Sequence, residues 1–333
     1  MVINMVKLGN APLLSEARKA KRKPNIVLQI LIFIAVFLSS SVITGIIIVP
    51  IMVIEIFKSV NASLIAGGDA ANVFDYAMEA LDALPEWFSV LMLFLTAAGT
   101  ICAIIYCLKI EGRSLASMGM RKKGFLKNYG CGYLIGIIMI SAAAGLSMLL
   151  GGSRFTGFCT EVSWLYVGLF FLGFLLQGMS EEVLVRGYFM VSCANVVHLT
   201  VAVALSSVLF AALHLANSGI TIPAFINLCL YGVFMAVYML RNNDLWGACA
   251  IHSSWNFVQG HILGISVSGT SVSNSVFSTD FIEGKELISG GSFGIEGGIC
   301  TSIVLLVAIV LALMIPKKTH WSSPESSQNI DIA

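Results

Sequence analysis

The sequence predicts an all-α fold of one kind, a polytopic transmembrane helical bundle of about eight spans with both termini cytoplasmic. Three observations predict it. Of 333 residues, 57% are hydrophobic and 11% charged, with a mean hydropathy of +0.90, whereas a soluble domain carries about 25% charged residues. Apolar runs of spanning length recur along the chain, and its basic residues collect in alternate connections between them. The net charge of +1 gives no reason to expect a nucleic-acid partner.

A spanning helix needs roughly 20 apolar residues. Eight runs qualify: Ile26 to Phe57, Trp87 to Leu108, Tyr129 to Leu150, Trp164 to Met190, Val196 to Leu215, Ile222 to Leu240, Leu245 to Leu263 and Gly297 to Ile315. The first follows Arg18, Lys19, Lys21, Arg22 and Lys23. Its length and lack of an A-x-A site make it a signal anchor rather than a cleaved leader.

Basic residues near span ends stay in the cytoplasm, while acidic residues contribute little to orientation. An inside N-terminus places 15 of the 19 basic residues in cytoplasmic segments, namely those before Ile26, between Lys109 and Lys127, at Arg241 and after Ile315. The opposite connections hold Lys58, Arg154 and Lys285, and Arg186 falls inside the fourth run. The chain accordingly divides into a basic tail (1–25), a three-span region (26–163), a four-span core (164–264), and an outer loop, last span and cytoplasmic tail (265–333).

Smaller features have modest readings. Seven of the eight cysteines lie in or beside apolar runs and read as small hydrophobes; Cys159 sits alone in an outer loop. Residues 70–84 place Val73, Ala77, Leu81 and Leu84 on one stripe, which predicts an outer interfacial helix whose role is packing. The Ser-rich stretch from Ser266 to Thr279 is either a flexible lid or an inserted loop. No nucleotide fingerprint, heptad array or internal repeat is present.

The informative residues are those that stay polar inside apolar runs. Glu181, Glu182 and Arg186, written EEVLVR, oppose insertion by about 8 kcal/mol if lipid-exposed and unpaired, so they must face protein or water. Glu182 and Arg186 are one turn apart and can pair. Glu181 lies about 100° round the helix and can face a cavity as a water-activating carboxylate. The trio can equally be an ion-pair lock between helices, and spacing alone leaves both readings standing.

In the next run Phe210 and His214 share a helix face, and in the seventh His252 and Asn256 do, with Gln259 continuing the stripe. A His and an Asn so aligned can aim two donors at one point, as an oxyanion hole requires, or can form an interhelical hydrogen-bond seam. Together the three runs carry a hydrolytic inventory of carboxylate, histidine and two donors. Glu181, His214 and His252 could also be three zinc ligands, but no H-E-x-x-H helix or Cys/His cluster supports a metal.

These residues, in this order, resemble the CPBP family of intramembrane glutamic endopeptidases, the CAAX-protease-like or Abi group that includes Rce1-type prenyl-protein peptidases. Its first motif stands here as Glu181, Glu182 and Arg186, its second as Phe210 and His214, its last as His252 and Asn256. The resemblance spans about residues 164–264, and GGSFGIEGG, Gly290 to Gly298, also looks like a segment of bacterial members. It implies that Glu181 and His214 activate water, that His252 and Asn256 stabilise the oxyanion, and that Glu182, Arg186 and Phe210 support them. It further implies a water-accessible cavity opening towards the cytoplasm, no cofactor and no obligatory metal. The partners implied are a peptide or membrane-protein substrate and the bilayer of a cell membrane, bacterial by type; nothing in the sequence sets an oligomeric state. A non-proteolytic immunity or partner-binding protein on the same bundle is the alternative, and a small-solute transporter a third class.

One geometric demand accompanies this reading. In ideal full-length spans Glu181 and His214 fall at opposite depths. They can meet if the fourth helix continues past Met190 and the fifth is short and starts deep.

Overall fold

The computed structural model describes residues 8–314; the residues before Leu8 and the expected cytoplasmic tail from Ile315 onwards lie outside the described residues. The chain is mostly helical, and every apolar run forms helix. In order, α1 is Pro12–Ala17, α2 Ile26–Ile65, α3 Val73–Asp82, α4 Glu86–Glu111, α5 Phe125–Leu149, α6 Trp164–Cys193, α7 Leu199–Ala212, α8 Ile222–Asn242, α9 Trp246–Phe257 continuing through a π-turn at Val258–Ile262, α10 Glu286–Ser289 and α11 Ile299–Met314. Five of these, α2, α4, α5, α6 and α8, are long and apolar enough to cross a membrane by length and composition. Two more apolar helices, α7 and α11, are shorter. The eighth, α9, differs in kind: every residue from Gly247 to His261 is buried. Enclosure by protein explains how a helix reading HSSWN can sit in a bilayer-spanning bundle.

Three departures from expectation have physical causes. Helix α2 runs past Phe57 to Ile65, 40 residues in all, about 60 Å at 1.5 Å per residue and longer than a hydrocarbon core of about 30 Å. Its last turns carry Lys58 paired with Glu55 at 2.8 Å, a polar finish suited to projecting beyond the lipid. The bundle also carries a two-stranded antiparallel sheet that hydrophobic periodicity did not predict, β1 (Ser153–Phe158) with β2 (Phe277–Phe281). The Ser-rich stretch supplies the first three residues of β2, Phe277 to Thr279. Finally, Cys131 is exposed on α5 rather than packed; Cys107, Cys193, Cys249 and Cys300 are buried as expected.

Helix α9 is held between α5 and α6. Gly132 and Gly136, one turn apart on α5, make this possible: a Cβ at Gly132 would strike the Gly247 backbone, and one at Gly136 the Ile251 backbone and Ser254. Small residues at this spacing let two helix backbones approach closely, the way helices gain contact energy in lipid. Gly136→Val should therefore push α9, and with it His252 and Asn256, out of register. The expected outcome is a clear fall in the thermal unfolding temperature of the detergent-purified protein, checked against the same change at Gly145, where a Cβ meets nothing.

The connections gather at two ends of the bundle. At one, the Leu13 amide donates to Asn243 Oδ1 at 2.6 Å, the Lys21 amide to the Glu111 carbonyl at 2.9 Å, the Leu245 amide to the Gly119 carbonyl at 3.0 Å, Asn195 to the Ala17 carbonyl at 3.1 Å and Arg241 to the Leu313 carbonyl at 3.2 Å. At the other lie the sheet, α3, the α7–α8 connection and residues 264–298, joined by Asn217 to the Ser268 carbonyl at 2.8 Å and by Asn274 to the Ser163 carbonyl at 3.0 Å.

Candidate active site

Helix α6 changes character where EEVLVR begins. It is α-helical through Glu182 and continues as a π-wound segment, Val183–Met190, before a last turn ending at Cys193. Wide turns of this type are uncommon and recur at functional sites. Every residue from Glu182 to Cys193 is buried, so the charged turn faces protein. The helix does continue past Met190, and α7 is short, 14 residues against the 20 of the apolar run.

The two glutamates take separate surroundings. Glu182 is fully buried, and one of its oxygens, Oε1, receives both Arg186 Nη1 at 3.1 Å and His252 Nδ1 at 2.9 Å. A carboxylate accepts, so His252 Nδ1 carries a proton and the ring orientation is fixed. The Arg186 guanidinium lies over the Phe210 ring, 4.3 Å from its centroid, a cation–π contact that needs no water. Glu181, by contrast, keeps about a third of its side chain exposed. Its Oε1 accepts from Gln177 Nε2 at 2.6 Å. Its Oε2 has no hydrogen-bond partner among the described residues and faces His252 Nε2 at 3.6 Å.

The other predicted residues join the same space. His214 follows directly on α7, and its Nδ1 lies 2.9 Å from the Phe210 carbonyl. A carbonyl only accepts, so this contact puts a proton on Nδ1; when the ring is neutral, Nε2 is the nitrogen with a lone pair. Asn256 Nδ2 donates to Gln177 Oε1 at 3.0 Å, and Gln177 thereby links Asn256 to Glu181. A cavity of about 520 Å³ is lined by Glu181, Phe210, His214, His252 and Asn256 together with Gln177, Tyr231, His261 and Glu296. That volume lies within the usual range for binding sites. Glu182 and Arg186 sit behind the wall.

Sequence reasoning missed several wall residues. Gln177 precedes Glu181 by one helical turn, a spacing that could have revealed it. Glu296 lies inside the glycine-rich GIEGG, where its carboxylate accepts from the Ser268 amide at 2.7 Å, Ser268 Oγ at 2.8 Å and Gln259 Nε2 at 3.3 Å. Burial pushes the Glu296 carboxyl up from the ordinary range, opposed by the Ser268 bonds and by nearby His214. Ser268 adopts a left-handed φ of 47°, costly for a non-glycine residue and held by those bonds. The Ser-rich stretch is thus folded against the cavity, with Val267, Ser268 and residues 270–273 on its wall. Leu81 and Leu84 of the expected packing stripe line the cavity as well, and so does the start of α4 through Phe88, Ser89 and Met92.

The deep end of the cavity is formed by buried Tyr231, His252 and Asn256, while Ser89, Thr270, Ser271 and Ser273 at its other end are exposed. It therefore opens at the end of the bundle that holds the sheet and α3, away from the basic segments. The expected cytoplasmic opening and the expected cytoplasmic basic segments cannot both hold. Among the described residues no group of three or more His, Cys, Asp or Glu side chains is arranged to hold a metal ion.

Comparison with curated proteins and with solved structures finds no match. Residues 163–258 match the family model described as type II CAAX prenyl endopeptidase Rce1-like. All three polar motifs fall within that segment, and over it the chain is similar to the CPBP family of CAAX-protease-like membrane proteins.

Proposed function

We propose that the protein is an intramembrane endopeptidase in which Glu181 activates water without a metal, acting on a membrane-associated peptide or protein. The single observation that carries this reading is the unequal pair of glutamates. One is buried and holds Arg186 and His252; the other is part-exposed and lines the cavity, with one oxygen, Oε2, that has no hydrogen-bond partner among the described residues. Similarity to the Rce1-like family model over residues 163–258 supports the reaction class, peptide hydrolysis at a membrane.

The chemistry follows from the donors and acceptors available. Water held between Glu181 Oε2 and the free Nε2 of His214 loses a proton to Glu181 as its oxygen bonds to the scissile carbonyl carbon. The carbonyl π electrons move onto oxygen, where Asn256 Nδ2 and, when its ring holds both protons, His252 Nε2 donate. Collapse of the intermediate breaks the C–N bond, and the proton on Glu181 passes to the departing amine. The products are a carboxylic acid and an amine, which leave as carboxylate and ammonium once the acid's proton passes to the amine, and Glu181 is returned ionised. Glu182 supports the step by balancing the charge on His252 and by fixing its ring.

The test is cleavage of a peptide library by the purified protein, read by mass spectrometry with and without a chelator. Products should form at the same rate in both conditions, and no ion gradient should be needed. Asn256→Ala should lower the rate by about 10² to 10³, the range for loss of one oxyanion donor. Unchanged cleavage would remove Asn256 from the mechanism, and chelator sensitivity would replace the glutamate mechanism by a metal-dependent one.

A further inference from the structure

We infer that the cavity is entered from the non-cytoplasmic face of the membrane, so that its substrates are exported or extracytoplasmic peptide segments rather than cytoplasmic chain termini. The substrate class rests on the peptidase reading, whereas the sidedness rests on the fold and its distribution of charge.

Two independent arrangements coincide. The first is the grouping of charge by the fold. Hydrogen bonds join residues 8–25, 109–124 and 241–246 at one end of the bundle, with the Trp246 indole also donating to the Arg121 carbonyl at 2.8 Å. That end carries Arg18, Lys19, Lys21, Arg22, Lys23, Lys109, Arg121, Lys122, Lys123 and Lys127 in or beside its short connections. The opposite end has Lys58, Arg154 and Lys285, and Arg154 faces Asp280 at 3.5 Å. Basic residues in short connections set orientation, so the first end is cytoplasmic.

The second arrangement is the position of the mouth. Residues 270–273, Asn217, Leu81 and Leu84 all line the cavity, and all belong to connections at the end poor in basic residues. At the basic end the space beyond His252 is filled by the fully buried Glu182 and Arg186 and by Tyr188, Met190 and Met239, each fully buried. Helix α1 and the Glu111–Arg113 pair, 2.6 Å apart, seal that end further. A peptide arriving from the cytoplasm meets packed core, whereas one arriving from the other side meets Ser271 and then Glu181.

The experiment introduces a cysteine on each end of the full chain. Ser271→Cys places a thiol at the mouth, Thr156→Cys places one on the exposed face of β1 as a second reporter of that end, and Ser15→Cys places one on α1 without altering charge. Intact cells of a bacterial host are treated with a membrane-impermeant maleimide, and labelling is compared with that of the unmodified chain and of permeabilised cells. Ser271→Cys and Thr156→Cys should label in intact cells, and Ser15→Cys only after permeabilisation. Labelling of Ser15→Cys alone in intact cells overturns the inference. If Ser271→Cys fails to accumulate, Thr156→Cys decides.

The substrate class is read separately, with a charged peptide found to be cleaved in detergent and then added outside sealed vesicles of known orientation. Cleavage should be at least tenfold faster in vesicles whose Thr156 end faces out than in inverted ones, with the difference lost in detergent. The reverse ratio overturns the inference. Absence of cleavage even in detergent overturns the peptidase reading and leaves the sidedness to the labels.

Discussion

Glu181→Gln should lower peptide cleavage by about 10² to 10⁴, the usual contribution of a positioned general base, while the protein stays folded and unfolds at nearly the same temperature. The asymmetry between the glutamates makes both halves of this expectation specific. Glu181 is part-exposed and does not hold Arg186. A glutamine has the same shape, and its amide oxygen can still accept from Gln177 Nε2, as Oε1 does at 2.6 Å. What is lost is an acceptor basic enough to take a proton from water. Single-turnover rates with a cleaved library peptide measure the first half, and thermal unfolding in detergent the second. Full activity in the variant would move the base elsewhere in the cavity, with Glu296 the first alternative because it lines the same wall. A variant that fails to fold would instead mark Glu181 as part of the structural lock.

The same division explains what could be read before the fold was known. Apolar runs located, among the described residues, all five helices long and apolar enough to cross a membrane, because lipid imposes a length and a composition that few other constraints can mimic. Paired spacings found Glu182 with Arg186 and Phe210 with His214, since helical neighbours at i and i+4 share a face. The same spacing left Glu181 as the glutamate able to face a cavity, which it lines, but that Glu182 also holds His252 could not be read, because it depends on how the π-wound turn and α9 meet. Glu296 was hidden for a related reason. Its partners, Ser268 and Gln259, lie 28 and 37 residues away, and no local period links a loop carboxylate to a helix. The sheet escaped because its strands, five and six residues long, are separated by more than a hundred residues. The side on which the cavity opens needed both levels: charge along the chain supplies the orientation, and only the fold shows which end the mouth occupies.

Arg186→Ala should cost about 3 to 5 kcal/mol, the range for removing one member of a buried ion pair, and the loss should be partly repaired by neutralising its partner. Glu182 and Arg186 are both fully buried, so truncating the arginine leaves a carboxylate with His252 as its one remaining ionic contact among the described residues. It also removes the planar group stacked on Phe210. In the double variant Glu182→Gln with Arg186→Met no uncompensated charge remains, and an apolar side chain of similar length refills the space over the ring. Its stability should exceed that of Arg186→Ala by at least about 1 kcal/mol, because buried pairs are often no better than well-packed neutral replacements. Chemical unfolding in mixed detergent, combined with the single variants as a double-mutant cycle, measures the coupling. Activity should not follow stability in this series. The double variant lacks the carboxylate that fixes the His252 ring at 2.9 Å, so it should be folded yet impaired by at least about tenfold, as expected when the group orienting a functional histidine is lost. Recovery of both together would mean that the pair only holds α6 in place. Recovery of stability alone would show that an ion-pair lock and a catalytic site occupy adjacent glutamates, with His252 as the part they share.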